Sequence, residues 1–284
     1  MNRIQALLIL LVFIAIVTFG MLGSGYILTL DHVIADRDIL LLPASFEYWN
    51  MLPFRFLFYA LNLVLPGVLL SNILVLCTIS LIFSSSYYFF RHEHDGGYAS
   101  LFVSLFYAIN PFVYTRFLAG QWVLLAAYGF FPCLLHLCSR SFESQNIHKK
   151  TVPILLGLSI ALIGSLSIHA FVMAVSITLF YFVGVARLRS MEHWKAFFLV
   201  ILSVVVATSY WTVPAVLESK VSILTTFDWR HLNAFRTADS PVIGTLGNVM
   251  ALYGFWGERE PWAGQFIWTK DYPIFCLISG CILG

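Results

Sequence analysis

Three aspartates that follow the first apolar segment are the residues best placed to do chemistry. Asp31, Asp36 and Asp38 share one loop directly after that segment. A carboxylate close to a hydroxyl group can take its proton while the oxygen attacks a carbon atom, so each aspartate is a candidate general base. Asp31 is the first choice because it lies nearest the end of the apolar segment. The alternative is a solvated loop in which one or two of these aspartates cap a helix.

A second candidate group surrounds Arg116. Proline disfavours the helical conformation of the residue before it, so Asn110-Pro111 predicts the end of a short helix. We expect an outer turn that carries Arg116, followed by a new helix that begins beside Gln121 and Trp122. A guanidinium next to the free N–H groups of a helix start suits a phosphate, and Gln121 and Trp122 are candidate substrate contacts. Alternatively, Arg116 extends to the lipid head groups and Gln121 is an ordinary helix-start residue.

Further candidates lie in the long polar and aromatic segment 218–271. Tryptophan and tyrosine are expected at any membrane interface, which accounts for most of this pattern. The surplus of charged residues is what a sugar or phosphate site would add, so Arg230 and Arg236 are candidate phosphate ligands and Trp256 is a candidate substrate contact. His169 lies in a break between two apolar segments. It is either a substrate contact or a histidine that is hydrogen-bonded at the surface.

Residues of the types that bind metals occur, but not in a convincing pattern. The run His92-Glu93-His94-Asp95 contains imidazole and carboxylate groups, which are zinc ligands. Adjacent ligands in a short charged segment before Gly-Gly are more typical of a solvated turn, so we assign no metal site. The five cysteines have no C-x-x-C spacing and are predicted to pack between helices. The sequence contains no P-loop, H-E-x-x-H or G-x-S-x-G motif.

The composition indicates the class of protein that positions these residues. Hydrophobic residues make up 60% of the 284 positions and charged residues only 11%, whereas about 25% of a soluble domain is charged. The mean hydropathy is +0.87. A net charge of +2 and the lack of a basic block argue against a nucleic-acid partner. We therefore predict an all-α, polytopic transmembrane helical bundle.

Apolar runs predict seven spans and a truncated eighth. A span needs about 20 residues, because each residue of a helix rises about 1.5 Å and the hydrocarbon core is about 30 Å thick. The run 152–186 is too long for one helix, so we predict two short spans that meet between Gly164 and His169. The predicted spans are 4–23, 66–90, 98–111, 118–138, the two within 152–186, and 195–217.

The spans form one transmembrane domain, residues 1–284, with large outer segments at 24–64 and 218–271. Residues 52–59 of the first segment mix aromatic and basic residues in a pattern typical of a helix lying in the interface plane. The last apolar run starts at Tyr272 and stops after 13 residues, which predicts a piece of a longer protein. Eight basic and four acidic residues share the side of the N-terminus, against eight and ten on the other side. This bias predicts a cytoplasmic N-terminus.

The order of these features resembles the GT-C superfamily of polytopic glycosyltransferases, which use polyprenyl-phosphate-linked sugars. One part of the resemblance is a large first outer loop that carries Asp31 with Asp36 or Asp38. The other is the segment Asn110-Pro111-Phe112-Val113-Tyr114, Arg116-Phe117 and Gly120-Gln121-Trp122, which is similar to a segment of uncharacterised prokaryotic members, including arabinofuranosyltransferase-like proteins. The aspartates are spaced as D-x4-D-x-D rather than as an adjacent pair, so any of the three can be the base.

The resemblance implies transfer of a sugar from a polyprenyl-phosphate-linked donor to a glycan, lipid or protein acceptor at the outer face of the membrane, with inversion at the anomeric carbon. Asp31 would deprotonate the acceptor, and Arg116, with Arg230 or Arg236, would bind the donor phosphate. The resemblance implies no specific cofactor, because the three acids fit catalysis with a divalent cation as well as catalysis without one. The implied partners are the lipid-linked donor and membrane lipids, in the plasma membrane of a prokaryotic cell, with the oligomeric state open.

Two other functions compete with sugar transfer. A transporter or flippase of a lipid-linked substrate usually places ionisable residues near the bilayer midplane, and these spans hold almost none. A non-catalytic membrane subunit that packs against a partner is the third candidate.

Overall fold

The computed structural model describes residues 3–19, 31, 46–94, 97–142, 150–185, 191–217, 229, 233, 236–239 and 244–254. Over these residues the chain is helical and contains no strand, which confirms the predicted all-α fold class. A short 3-10 helix, Phe46–Met51, precedes the second α-helix. The α-helices are α1 (Arg3–Thr18), α2 (Leu52–Asn62), α3 (Gly67–His94), α4 (Gly97–Ala108), α5 (Pro111–Leu118), α6 (Trp122–Gly129), α7 (Phe131–Phe142), α8 (Thr151–Leu166), α9 (Ile168–Val185), α10 (Met191–Leu217) and α11 (Gly244–Met250).

The outer surface of the bundle is apolar. Phe180 on α9, Phe198 on α10 and Val206 on α10 are each exposed by more than 60% of their surface. Such a surface is stable against lipid and unfavourable against water. Three helical stretches among the described residues are long and apolar enough to cross a membrane, Gly67–Glu93, Trp122–Phe142 and Met191–Leu217, and the number is four if the bent pair α4–α5 is counted as one span. The chain is therefore a membrane-embedded helical bundle.

Three of the predicted spans are shorter helices. Within the described residues, the apolar helices Leu8–Thr18, Thr151–Leu166 and Ile168–Gly184 are shorter than the other spans. The predicted count of seven therefore stays a prediction. The residues of the predicted eighth span lie outside the described residues.

Helix α6 lies at the centre of the fold. Its residues Trp122 and Leu125 pack with α1, α3, α4 and α5, whereas Ala126 and Ala127 pack with α7 to α10. Trp122, Leu125 and Ala127 have no exposed surface. Because α6 contacts both halves of the core, the turn that precedes it is held by the whole bundle.

The predicted break in the run 152–186 is confirmed. Helix α8 ends at Leu166 and α9 begins at Ile168, with Ser167 between them in an extended conformation. The N–H of Ser167 donates to the carbonyl of Ile163, and its hydroxyl accepts from the N–H of Ala170. Ser167 therefore closes α8 and caps α9, as serine commonly does at a helix start.

Helices α8 and α10 approach closely at Gly157. A β-carbon at this position would lie 2.6 Å from Cβ of Ser203 and 2.7 Å from the carbonyl oxygen of Val200. Membrane helices associate through close packing because lipid tails are as apolar as their side chains, so small residues mark their contacts. Glycine is thus required by the distance between the two backbones.

The segment before α3 is fastened to this helix pair. The side-chain amide of Asn50 donates to the carbonyl of Gly164 at 2.9 Å, and the hydroxyl of Tyr210 donates to the carbonyl of Asn50 at 2.7 Å. The predicted helix at residues 52–59 is confirmed as α2, which has no buried residue and exposes Phe56 and Leu57 by about half. A helix with such a surface fits the predicted position in the interface plane.

Contacts between helix ends define two ends of the bundle. Phe182 near the end of α9 packs against Phe142 at the end of α7 and Trp194 at the start of α10. Their other ends, with the α5–α6 turn, Ser167 and Tyr210, therefore lie together at the opposite side. We call this opposite side the Asp31 end, because Asp31 contacts the α5–α6 turn.

Candidate functional site

Three of the predicted site residues form one chain of hydrogen bonds at the Asp31 end. The side-chain amide of Gln121 donates through Nε2 to Oδ2 of Asp31 at 2.6 Å. Its oxygen Oε1 accepts from Nη1 of Arg116 at 2.7 Å. The backbone N–H of Asp31 also donates to the carbonyl of Ala119 at 2.9 Å. One neutral amide thus connects an exposed carboxylate to a partly buried guanidinium, and we call Asp31, Gln121 and Arg116 the bridged cluster.

The start of α5 explains how Arg116 reaches this position. Asn110 is extended, and its side-chain oxygen accepts from the N–H of Val113 at 3.0 Å, as an N-cap does. Pro111 occupies the first turn, where its fixed φ suits a helix and no N–H is needed. The predicted outer turn at Arg116 is therefore wrong, because Pro111–Leu118 is a helix and Arg116 lies in its last turn.

The turn between α5 and α6 places Gln121 beside Arg116. Gly120 adopts a left-handed conformation with φ of 81°. The N–H of Gly120 donates to the carbonyl of Phe117 at 3.1 Å, and the N–H of Gln121 donates to the carbonyl of Arg116 at 2.9 Å. These two bonds form a Schellman motif, which commonly requires glycine. The chain reverses direction within three residues, so the side chain of Gln121 lies against α5.

The aromatic ring of Phe112 also holds Arg116. Its guanidinium carbon lies 5.6 Å from the centre of the Phe112 ring, one helical turn earlier. A guanidinium over an aromatic face gains a cation–π interaction, which is strongest where water is excluded. Together with Gln121, this contact fixes the orientation of the guanidinium.

A pair of tyrosines supports the bend that starts α5, and the sequence did not point to them. The rings of Tyr107 and Tyr128 stack at 4.3 Å, and each hydroxyl donates to the other residue's carbonyl. The amide of Asn110 donates to the Tyr128 hydroxyl at 3.2 Å and to the Tyr107 carbonyl at 2.9 Å. Asn110 thus ties α4, α5 and α6 together at the bend. Tyrosines in apolar helices match ordinary packing residues in sequence, so only the fold shows this role.

Two other predicted substrate contacts lie elsewhere. Trp122 has no exposed surface, and its indole N–H donates to the carbonyl of Phe117 at 3.0 Å. It supports the α5–α6 turn from within the core. His169 is exposed in the first turn of α9. Within the described residues it makes no hydrogen bond to the bridged cluster.

Of the remaining predicted residues, Arg236 lies in a separate group, and the others lie outside the described residues. Arg236 forms an exposed ion pair with Asp239, with Nη2 and Oδ2 3.2 Å apart, and Asp239 also accepts from the hydroxyl of Thr245. The structure therefore joins Arg236 to its neighbours and not to Arg116. The positions outside the described residues are Asp36, Asp38, Arg230 and Trp256.

The bridged cluster combines a base with an anion-binding group. Asp31 is exposed and can accept a proton from a bound hydroxyl. Arg116 offers planar N–H donors that match a phosphate. A magnesium ion is usually held by one or two carboxylates together with substrate phosphates. Asp31 provides one such carboxylate, and Arg116 supplies a positive charge for a phosphate, so a divalent cation stays possible.

No protein-family model, curated protein or solved structure matches the chain. The resemblance to GT-C enzymes therefore rests on the sequence pattern.

Proposed function

We propose that the chain is a membrane glycosyltransferase that moves a sugar from a polyprenyl-phosphate-linked donor to a glycan, lipid or protein acceptor. The observation that carries this proposal is the bridged cluster. Asp31 and Gln121 are 90 positions apart, yet they form one hydrogen-bonded group with Arg116 at the Asp31 end. A general base beside a phosphate-binding arginine is what such a transfer needs.

The proposed reaction uses the two charged side chains at the two ends of one displacement. The acceptor hydroxyl gives its proton to Asp31 as its oxygen attacks the anomeric carbon of the sugar. The bond between that carbon and the phosphate oxygen breaks, and the polyprenyl phosphate leaves with the electron pair. Arg116 stabilises the negative charge on the phosphate, where a preorganised positive group has the largest effect. Attack opposite the leaving group inverts the anomeric carbon.

Gln121 has a positioning role in this scheme. Its amide holds Asp31 and Arg116 at a fixed separation without adding charge. Arg230 would assist at the donor phosphate, Arg236 would join it by exchanging its ion pair with Asp239, and His169 and Trp256 would contact the sugars. The bias of basic residues toward the N-terminal side supports an outer position for the Asp31 end in the plasma membrane of a prokaryotic cell.

The decisive experiment is the Asp31→Asn exchange in protein reconstituted into lipid vesicles. Asparagine keeps the shape of the side chain and can still accept from Gln121, but it cannot take a proton. We expect transfer from labelled polyprenyl-phosphate sugars to fall by about 100-fold or more, the usual contribution of a general base. Elution volume and helical circular dichroism should stay unchanged.

A matched control is Glu192→Gln. Glu192 is a partly exposed acid paired with Lys195 at the other end of the bundle, and its loss should leave transfer unchanged. Unchanged turnover in Asp31→Asn would reject Asp31 as the base, and the same exchange at Asp36 and Asp38 would then locate it.

A lipid-linked-substrate flippase is the second candidate, and one observation favours it. Helices α4 and α5 meet at a bend of 40° at Asn110-Pro111, and broken helices often line transport sites. The same vesicles separate the two functions. Labelled product marks a transferase, whereas movement of the donor to the opposite leaflet without product marks a flippase. If neither product nor movement of the donor is detected, a non-catalytic subunit becomes the best description.

A further inference from the structure

A second cluster of side chains lies at the other end of the bundle from Asp31. His92 and Glu93 lie in the last turn of helix α3, and His136 lies on the neighbouring helix α7. Nδ1 of His92 lies 3.6 Å from Oε1 of Glu93, and Nδ1 of His136 lies 3.5 Å from the same oxygen. One nitrogen or oxygen from each residue lies within 4.8 Å of the other two. Two imidazoles and a carboxylate from two helices therefore converge on one point.

The spacing of these atoms matches metal ligands better than hydrogen-bond partners. Hydrogen bonds between nitrogen and oxygen are usually about 2.7–3.2 Å long, so 3.5 and 3.6 Å are long for direct bonds. Zinc binds histidine nitrogen and carboxylate oxygen at about 2.0–2.2 Å in tetrahedral geometry, which separates neighbouring ligand atoms by about 3.4 Å. All three atoms lie within 4.8 Å of one another, so binding one ion requires the side chains to rotate toward a common point.

The surroundings also suit an ion. The side chain of His136 is 12% exposed, whereas those of Glu93 and His92 are 32% and 50% exposed, so the group is open to water on one side and a water molecule can reach an ion there. The ring of Tyr88 packs on both histidines, at 6.2 Å from His92 and 5.8 Å from His136. The adjacent Arg91 donates to the Tyr87 hydroxyl one turn earlier, which directs its positive charge along α3.

We propose that His92, Glu93 and His136 bind a zinc ion that joins α3 to α7, with a water molecule completing four-coordination. Two histidines and one glutamate with an open fourth position are a known zinc ligand set. The site is independent of the proposed sugar transfer, since it lies at the opposite end of the bundle. The run His92-Glu93-His94-Asp95 alone did not predict a metal site, and no local pattern could add His136, because His136 lies 43 positions beyond Glu93 and on another helix.

The test is a titration of the purified, metal-stripped protein, without a polyhistidine tag, with Zn²⁺. We expect saturable binding of one ion per chain and a rise in the unfolding temperature with Zn²⁺ concentration, because an ion that binds only the folded state stabilises it. Co²⁺ in the same site should give the strong visible absorption of a tetrahedral complex. His136→Gln and Glu93→Gln should each weaken Zn²⁺ binding by at least about tenfold, since even outer-shell changes can do so.

Two further variants make the outcome decisive. His92 is half exposed, so His92→Gln removes a ligand with little risk to folding and should also weaken binding. His169→Gln removes an exposed histidine at the Asp31 end and should leave binding unchanged. The zinc site is rejected if no ion binds at one per chain, or if binding is the same in the wild type and in all three ligand variants.

Discussion

At the scale of single residues, Arg116 is oriented before any ligand arrives. Gln121 fixes one N–H and the Phe112 ring supports the plane of the guanidinium. A group that is already in place loses little conformational entropy when it binds an anion, which is how preorganised sites gain affinity. The partly buried guanidinium should therefore bind a phosphate more tightly than a flexible surface arginine.

Arg116→Lys tests this orientation. Lysine keeps the positive charge but has neither the planar face that lies on Phe112 nor the forked donors that reach both Gln121 and a phosphate. We expect the KM for the lipid-linked donor to rise about tenfold, equivalent to about 1.4 kcal/mol of binding free energy. Donor titrations of the reconstituted protein measure the change.

Arg91→Lys is the matched control for this exchange, because Arg91 also contacts an aromatic ring but lies at the other end of the bundle. An equal KM in wild type and Arg116→Lys would show that Arg116 does not bind the donor.

Residue types and spacing pointed to the members of the bridged cluster but not to how they are joined. Asp31 and Arg116 are predicted from their chemistry, and Gln121 is predicted as a substrate contact rather than as the link between them. The bridge depends on a contact between positions 31 and 121, which no local pattern encodes. The same limit hid His136, whose neighbours in sequence are apolar.

At the scale of helices, the α5–α6 turn controls the geometry of the bridged cluster. Gly120 is its only residue with a positive φ, and the two Schellman bonds on either side of it set the direction of Gln121. Any residue with a β-carbon is strained in this conformation, by about 1–2 kcal/mol. The cluster is thus sensitive to a position that contacts no ligand.

Gly120→Ala should lower the free energy of unfolding by about 1–2 kcal/mol through this strain. It should also reduce transfer, since relaxation of the turn moves Gln121 away from Asp31. Thermal unfolding in detergent and the transfer assay report the two effects.

Gly184→Ala provides the control, because Gly184 lies in helix α9 and a β-carbon there meets nothing within 4 Å. Alanine in a helix interior is favoured over glycine by about 0.5–1 kcal/mol, so this variant should be slightly more stable. Equal stability of Gly120→Ala and wild type would contradict the need for glycine at position 120.

Asn110-Pro111 shows why helix boundaries were only partly predictable. Proline stops the helix before it, and the prediction from sequence covered only this helix end. Asparagine followed by proline is also a common helix start, with the side chain as cap and proline in the first turn. The buried contacts of Asn110 with Tyr107 and Tyr128 favour the second role, so a new helix starts directly after the bend.

At the scale of the whole molecule, the two ends of the bundle carry different chemistry. The bridged cluster lies at one end and the His92–Glu93–His136 cluster at the other, separated by the apolar core of α6 and α7. Hydropathy predicted the membrane class, the long helices and the break near Ser167, because these depend on local composition. It could not assign which side chains meet at each end, since those contacts join distant helices.

The attachment of the segment before α3 to the bundle depends on contacts between distant helices. Asn50 is 4% exposed and links the 3-10 helix to α8 and α10. Asn50→Ala leaves the carbonyl of Gly164 without this donor, so we expect a loss of about 1–3 kcal/mol in the free energy of unfolding. Thermal unfolding in detergent measures the loss.

Ser209→Ala is a suitable comparison, because Ser209 is exposed, next to Tyr210, and bonds only to its own helix. If Asn50→Ala were no less stable than Ser209→Ala, the contact would not hold the first segment to the bundle.

The short helices α8 and α9 have a consequence for the surrounding lipid. With 16 and 18 residues, they are about 24 and 27 Å long, shorter than a hydrocarbon layer of about 30 Å. If both helices cross the membrane as predicted, the acyl chains that border them must shorten or tilt to cover their ends, so the bilayer would be thinner on that flank. Head groups there would move toward the midplane, and a phosphate anchored among them would descend to the depth at which α8 and α9 meet.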